Sequence, residues 1–132
     1  MVYEIFCRMV LELDSRSGPI LPEQTHPLIF DGHNDVLLQL YRAGGLTASD
    51  QFVSGRTGAS DAQKSAQGGF GGGFFAVYVP SPVDLEFKFE EMAKPSYDLP
   101  LPDPIEWEDA FPVVMAQAAI LFDLEQRGAL TV

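Results

Sequence analysis

The residues of this chain that are best suited to chemistry lie in one short segment, Asp31 to Asp35 (Asp-Gly-His-Asn-Asp). The segment follows an apolar run, Leu28 to Phe30, which has the composition of a buried strand that ends in a polar cluster. Because side chains alternate along a strand, His33 and Asp35 are predicted to point to one side and Asn34 to the other. An imidazole and a carboxylate on one face can bind a single metal ion such as zinc.

The same residues also have a purely structural interpretation. Asp35 directly precedes an apolar, helix-like segment, Val36 to Tyr41, so its carboxylate could cap the N-terminus of that helix. Gly32 fits a tight exit from the strand, where a side chain would be in the way. The spacing alone leaves metal binding and helix capping open.

The segment Ile29 to Leu40 (IFDGHNDVLLQL) resembles the opening of the membrane (renal) dipeptidase family. These proteins are zinc peptidases of the amidohydrolase superfamily, and the first strand of their barrel ends in Asp-Gly-His-Asn-Asp. The resemblance implies that His33 and Asp35 are metal ligands. It also implies an α/β fold of the TIM-like (β/α)8 type, of which this chain would supply the first two β/α units.

A second segment, Gly68 to Pro80 (GGFGGGFFAVYVP), predicts a buried strand over 74–79. Its glycines do not fit a dinucleotide-binding loop, because Phe74 stands at the last position of that fingerprint and a strand follows instead of a helix. They are expected to allow close backbone packing. The dipeptidases are similar here too, and the resemblance implies that Tyr78 lines the substrate pocket. Packing of an aromatic ring would account for this tyrosine equally well.

Composition excludes several classes of partner. The 132 residues include 19 acidic and 8 basic ones, for a net charge of −11, and 46% are hydrophobic. The acidity argues against nucleic acid and anionic membrane surfaces, which require Lys/Arg patches. Cys7 is the single cysteine, so nothing demands an oxidising compartment. No apolar run approaches the roughly 20 residues of a membrane span, and no secretory signal is recognised. A cytoplasmic location is expected.

The rest of the chain is expected to position these residues. Residues 1–26 are predicted to be an N-terminal extension with a short helix over Met1 to Leu13 and a surface histidine, His26. Residues 27–132 are assigned to the N-terminal part of a metallo-dipeptidase barrel domain.

Two polar stretches interrupt this domain. Residues 46–67 predict a long surface loop, in which Asp61 and Lys64 loosely match an Asp and a basic residue of the resembled family. Glu86 to Glu90 alternates in polarity and predicts a short strand within a loop insertion.

A helix is predicted toward the end of the chain. A capping-box pattern begins at Asp103, and Pro112 is expected to delay the regular helix until about Asp109. Apolar residues at helical spacing predict a face packed on the core: Phe111, Val114, Met115, Ala118, Leu121 and Phe122.

An eight-stranded barrel takes roughly 250 residues, so these 132 residues are expected to be an N-terminal fragment or the product of a truncated gene. In the resembled family a Glu on a later strand bridges two zinc ions, and the general acid and further His ligands follow. Such catalytic residues would lie beyond Val132. The resemblance implies a zinc-dependent dipeptidase in which a metal-activated hydroxide attacks a dipeptide or similar small amide. The isolated chain, with His33 and Asp35 alone, is expected to be inactive.

Two other classes of function stay open. The chain could be a non-catalytic remnant or a binding or assembly module, and a homo-oligomer is compatible with either class. It could also be another amidohydrolase-superfamily enzyme, acting on cyclic amides or bases. Those enzymes usually carry His-x-His on their first strand, and Asp35 in place of the second His argues against them.

Overall fold

The structure is a computed structural model that describes residues 2–7, 27–81, 85–100 and 102–132. For 2–7 and 85–88 it describes the backbone. Within these ranges the elements follow in the order β1 (Val2–Cys7), β2 (Ile29–Asn34), α1 (Val36–Arg42), a 3-10 helix (Gly45–Ala48), α2 (Ser49–Ser54), α3 (Ala62–Gln67), β3 (Phe70–Tyr78), α4 (Leu85–Met92) and α5 (Trp107–Gln126).

Three strands form one mixed sheet in the order β1-β3-β2. Strands β2 and β3 are parallel and β1 is antiparallel to β3. The parallel arrangement of β2 and β3, with α1 following β2, agrees with the first two β/α units that the resemblance implies, while the complete barrel stays a prediction. The helix predicted over Met1 to Leu13 is wrong for Val2–Cys7, which is a strand rich in β-branched and aromatic residues. The rest of that helix, and His26, lie outside the described residues.

The pairing of β2 with β3 is irregular at two places. Ile29 and Phe30 are adjacent, but their partners Phe70 and Gly72 are two residues apart. From Asp31 to Asn34, β2 advances by three residues while β3 advances by two. The second irregularity gives β2 one extra residue, which is the arrangement of a β-bulge, and bulges redirect side chains next to functional sites.

Glycines inside β3 let the two strands approach closely. A Cβ added at Gly73 would lie 2.9 Å from both the Cβ and the backbone oxygen of Asp31, and one at Gly71 would lie 2.7 Å from the Cβ of Leu28. These glycines belong to the strand itself, which begins at Phe70, four residues earlier than predicted. Gly32, by contrast, lies within β2 with open space around its Cβ position. Its predicted role at a tight exit is wrong.

One face of the sheet is covered by helices. Phe75 and Val77 of β3 pack into a buried core with residues from α1, α2 and α5, among them Leu37, Leu40, Phe52, Ile120, Leu121 and Leu124. Helix α5 begins at Trp107, two residues before the predicted start, with Pro112 inside it. Leu121 is buried as predicted, but Phe111, Met115 and Phe122 are exposed, so their assignment to the core is wrong. The residues 117, 120, 121 and 124 form the buried stripe instead.

The stretch 46–67 is not the predicted loop. It holds most of the 3-10 helix together with α2 and α3, because Phe52 and Ala62 anchor it in the core. Leu85–Met92 is a helix rather than the predicted short strand, consistent with its Leu, Glu, Lys and Met residues, which favour helices. No helix in the described ranges is long and apolar enough to cross a membrane.

Candidate metal site at the end of strand β2

His33 and Asp35 come together where β2 passes into α1. His33 is the second-to-last residue of β2, and Asp35 stands at the N-cap of α1. The Nε2 atom of His33 lies 3.5 Å from Oδ1 of Asp35, and the two side chains are 49% and 50% exposed. The prediction placed both residues on one strand face; in the structure the strand ends between them, at Asn34.

Asp35 occupies the N-cap position, but its side chain makes no capping hydrogen bond. The neighbouring Asn34 contacts the helix terminus, because its Oδ1 accepts a 3.3 Å hydrogen bond from the backbone N–H of Val36, the first residue of α1. The capping interpretation of Asp35 is therefore not borne out by its side-chain contacts. Its carboxylate is turned toward His33.

Asp31 and Asn34 hold this junction in place. The carboxylate of Asp31 accepts hydrogen bonds from the backbone N–H of His33 at 3.1 Å and from Nδ2 of Asn34 at 3.1 Å. Nδ2 of Asn34 also donates to the backbone oxygen of Phe74, on β3, at 3.2 Å. Sequence reasoning gave neither residue a role. Such a role could have been predicted from the residue types, since Asp and Asn side chains commonly form hydrogen bonds with nearby backbone groups.

The donor pair fits one edge of a zinc shell. Two ligand atoms that share a tetrahedral zinc at about 2.0–2.2 Å lie roughly 3.3–3.6 Å apart, and the nitrogen and oxygen here are 3.5 Å apart. An imidazole nitrogen and a carboxylate oxygen are ordinary zinc ligands. Within the described ranges, no cluster of three or more His, Cys, Asp or Glu residues that could hold a metal is found. His33 and Asp35 thus supply two ligands.

Tyr78 ends β3 at the same edge of the sheet. Because β2 and β3 are parallel, their carboxyl ends lie together, which is where β/α barrels build their sites. Gln117, fully buried on α5, accepts from the N–H of Tyr78 at 3.1 Å and donates to its backbone oxygen at 2.7 Å. The half-buried tyrosine is therefore fixed through its backbone. Sequence reasoning missed Gln117. The sequence indicates this residue only as a polar position on an otherwise apolar helix face.

Asp61 and Lys64 form a structural contact near the start of α3. Asp61 is buried and caps the helix, accepting from the N–H of Lys64 at 2.8 Å and of Arg56 at 3.2 Å. The side-chain hydrogen bond from Lys64, 2.7 Å away, is the main reason why the pKa of Asp61 is lowered to about 2. The solvated-loop interpretation is wrong for this aspartate.

Comparisons with known proteins give an informative match among the solved structures. No protein-family model matches the chain, and no curated protein matches it either. A metallo peptidase from Rhodobacter sphaeroides, solved with a phosphinate mimic of the dipeptide L-Ala-D-Ala, is 42% identical with a TM-score of 0.67. The match covers 78% of this chain and 30% of that one. The chain therefore spans about a third of the length of a metallopeptidase to which it is clearly similar.

Proposed function

We propose that this chain supplies the first two strand–helix units, and part of the metal centre, of a zinc-dependent dipeptidase of the membrane dipeptidase type. The similarity to a metallopeptidase supports the general class. The observation that carries the proposal for this chain is the 3.5 Å approach of His33 Nε2 to Asp35 Oδ1 at the carboxyl end of a parallel strand.

In this proposal the residues of the site have defined tasks. His33 and Asp35 would hold one of two metal ions, and Asp31 fixes the backbone at His33. When bound, zinc acts as a Lewis acid and lowers the pKa of bound water, so that a hydroxide is available at neutral pH. Tyr78 would line the pocket beside the two metal ions, and Gln117 holds the backbone of this tyrosine in place.

The proposed substrate is a dipeptide or a similarly small amide. The similar metallopeptidase was solved with a phosphinate mimic of the dipeptide L-Ala-D-Ala. L-Ala-D-Ala is therefore the first substrate to test.

We further propose that the 132 residues alone are inactive. Catalytic zinc sites normally bring three protein ligands to each metal, and the described part of this chain brings two. The general acid and the residue that bridges two metals would come from sequence outside these 132 residues. Zinc binding is accordingly the property to measure on this chain.

Zinc titration of the purified chain tests the site. His33→Ala and Asp35→Asn are each expected to weaken zinc binding by at least tenfold, because either change removes one of two ligands. Asp98→Asn, at an exposed aspartate, is the control for the lost charge and should bind as the unaltered chain does. Equal zinc affinity in all four proteins would refute the assignment and favour a non-catalytic module.

A further inference from the structure

We infer that Asn34 is a positioning residue for the two proposed ligands, His33 and Asp35: it binds the first N–H of α1 and ties the junction to β3, which fixes the backbone between the two ligands. This inference rests on the proposed metal site. It concerns the residue between the two ligands, which itself presents no atom to the metal.

Helix α1 begins without a side-chain cap from its N-cap residue. The first N–H groups of a helix lack partners within it, and an Asp at the N-cap usually accepts from one of them. Asp35 stands at that position in α1 but makes no such bond. Asn34 Oδ1 accepts from the N–H of Val36, the first residue of the helix, whereas an N-cap side chain accepts from the N–H of the second or third residue. A capping Asp35 would direct its carboxylate at the N–H of Leu37 or Leu38 and not at His33, which lies 3.5 Å away.

The side-chain amide group of Asn34 makes three hydrogen bonds. Its two Nδ2 hydrogens are donated to Asp31 Oδ2 and to the backbone oxygen of Phe74, while Oδ1 serves Val36. A side-chain amide provides two donors on its nitrogen and an acceptor on its oxygen, so this one group joins β2, β3 and α1. A carboxylate of the same shape would place an oxygen against two acceptors. The arrangement therefore requires Asn rather than Asp at position 34.

His33 is held through its backbone. It lies in the stretch from Asp31 to Asn34 where β2 has one residue more than β3. The carboxylate of Asp31 accepts from the backbone N–H of His33 and also from Asn34. The backbone that carries the imidazole is thus fixed on both sides by the same two residues. Hydrogen bonds of this outer kind orient metal ligands, and losing one typically weakens metal binding 10–100-fold.

The substitution Asn34→Asp distinguishes a positioning role of Asn34 from a simple effect of charge on zinc binding. The substitution keeps the size of the side chain and adds a negative charge next to the two ligands. If charge alone governed binding, zinc would bind more tightly. We expect zinc affinity to fall by about tenfold or more, because the bonds to Asp31 and Phe74 become repulsive contacts. Zinc titration of the purified chain, followed by the NMR signals of His33, measures the change. Equal or tighter binding would overturn the inference.

The swap Asp31→Asn with Asn34→Asp keeps the net charge of the unaltered chain and tests whether zinc binding is rescued. It exchanges the donor and the acceptor, restores the hydrogen bond between positions 31 and 34, and keeps an acceptor for the N–H of Val36. We expect the swap to bind zinc more tightly than Asn34→Asp alone. A swap that binds no better than the single variant would show that this contact does not position the ligands.

Two controls separate the possible failures. Leu121→Ala, in the buried stripe of α5, should lower the unfolding temperature yet leave zinc affinity unchanged below it. If Leu121→Ala loses zinc affinity together with stability, as Asn34→Asp does, the positioning role of Asn34 is refuted. If His33→Ala retains zinc, the proposed metal site itself fails. If His33→Ala loses zinc and Asn34→Asp does not, the site stands and the role of Asn34 is wrong.

Discussion

Strands β2 and β3 are parallel neighbours, and both carry apolar residues, yet one is exposed and the other is buried. Ile29 and Phe30 on β2 are 57% and 54% exposed, whereas Phe75 and Val77 on β3 are each 2% exposed. The difference comes from position in the sheet. β3 lies between two strands and under the helices, while β2 is an edge of the described sheet. An apolar run thus predicts a strand, but its burial is decided by its neighbours.

The largest expected effect comes from truncating the same side chain on the two strands. Phe75→Ala empties a site in the helix-covered core and should destabilise the fold by about 3–5 kcal/mol. Phe30→Ala removes a half-exposed ring that packs edge-to-face on Phe74, with 5.4 Å between the ring centroids, and should cost about 1 kcal/mol. Urea denaturation of the two variants measures both values. Equal losses would mean that the two strands are equally buried in solution.

The next effect concerns the backbone contact between the strands. Gly73→Ala places a Cβ 2.9 Å from both the Cβ and the backbone oxygen of Asp31, so the strands must separate. We expect a loss of about 1–3 kcal/mol. Gly32→Ala is the matched control on β2, where nothing lies within 4 Å, and its effect should stay within about 0.5 kcal/mol. A neutral Gly73→Ala in the same urea experiment would contradict the close approach.

These differences show what the sequence could and could not predict. β2, α1 and β3 follow from local signals: apolar runs, a helix-like segment and glycines. The folding of 46–67 depends on distant partners, because Phe52 and Ala62 find their places against other elements. Exposure of Met115 likewise depends on which side of α5 meets the sheet. His33 and Asp35 were selected by their chemistry, and their metal-binding role stays a prediction.

The segment between the two strands should respond to acid through Asp61. Its pKa is lowered from 3.8 to about 2 in the folded chain, chiefly by hydrogen bonding to Lys64. A group whose folded pKa is depressed adds stability above its unfolded pKa, and that stability is lost as the pH falls through the folded value. Asp61→Asn should therefore lower the urea midpoint at pH 6 and have a shrinking effect from about pH 4 to pH 2. A difference that is independent of pH would rule out this ion pair as the cause.

A substitution at the edge of β2 is expected to have the smallest effect on stability. The same substitution should have a clear effect on association between copies of the chain. Ile29 is exposed on an edge strand of the described sheet, and apolar edges of this kind favour pairing with other chains. Ile29→Lys removes little packing, so stability should change by about 0.5 kcal/mol or less. The added charge should nevertheless reduce concentration-dependent association, measured by sedimentation velocity. Ser96→Lys makes the same change in charge at an exposed loop residue, so it controls for the chain's net charge of −11. Association that falls equally in both variants would assign the effect to net charge, and association unchanged in Ile29→Lys would show that the β2 edge is not where copies meet.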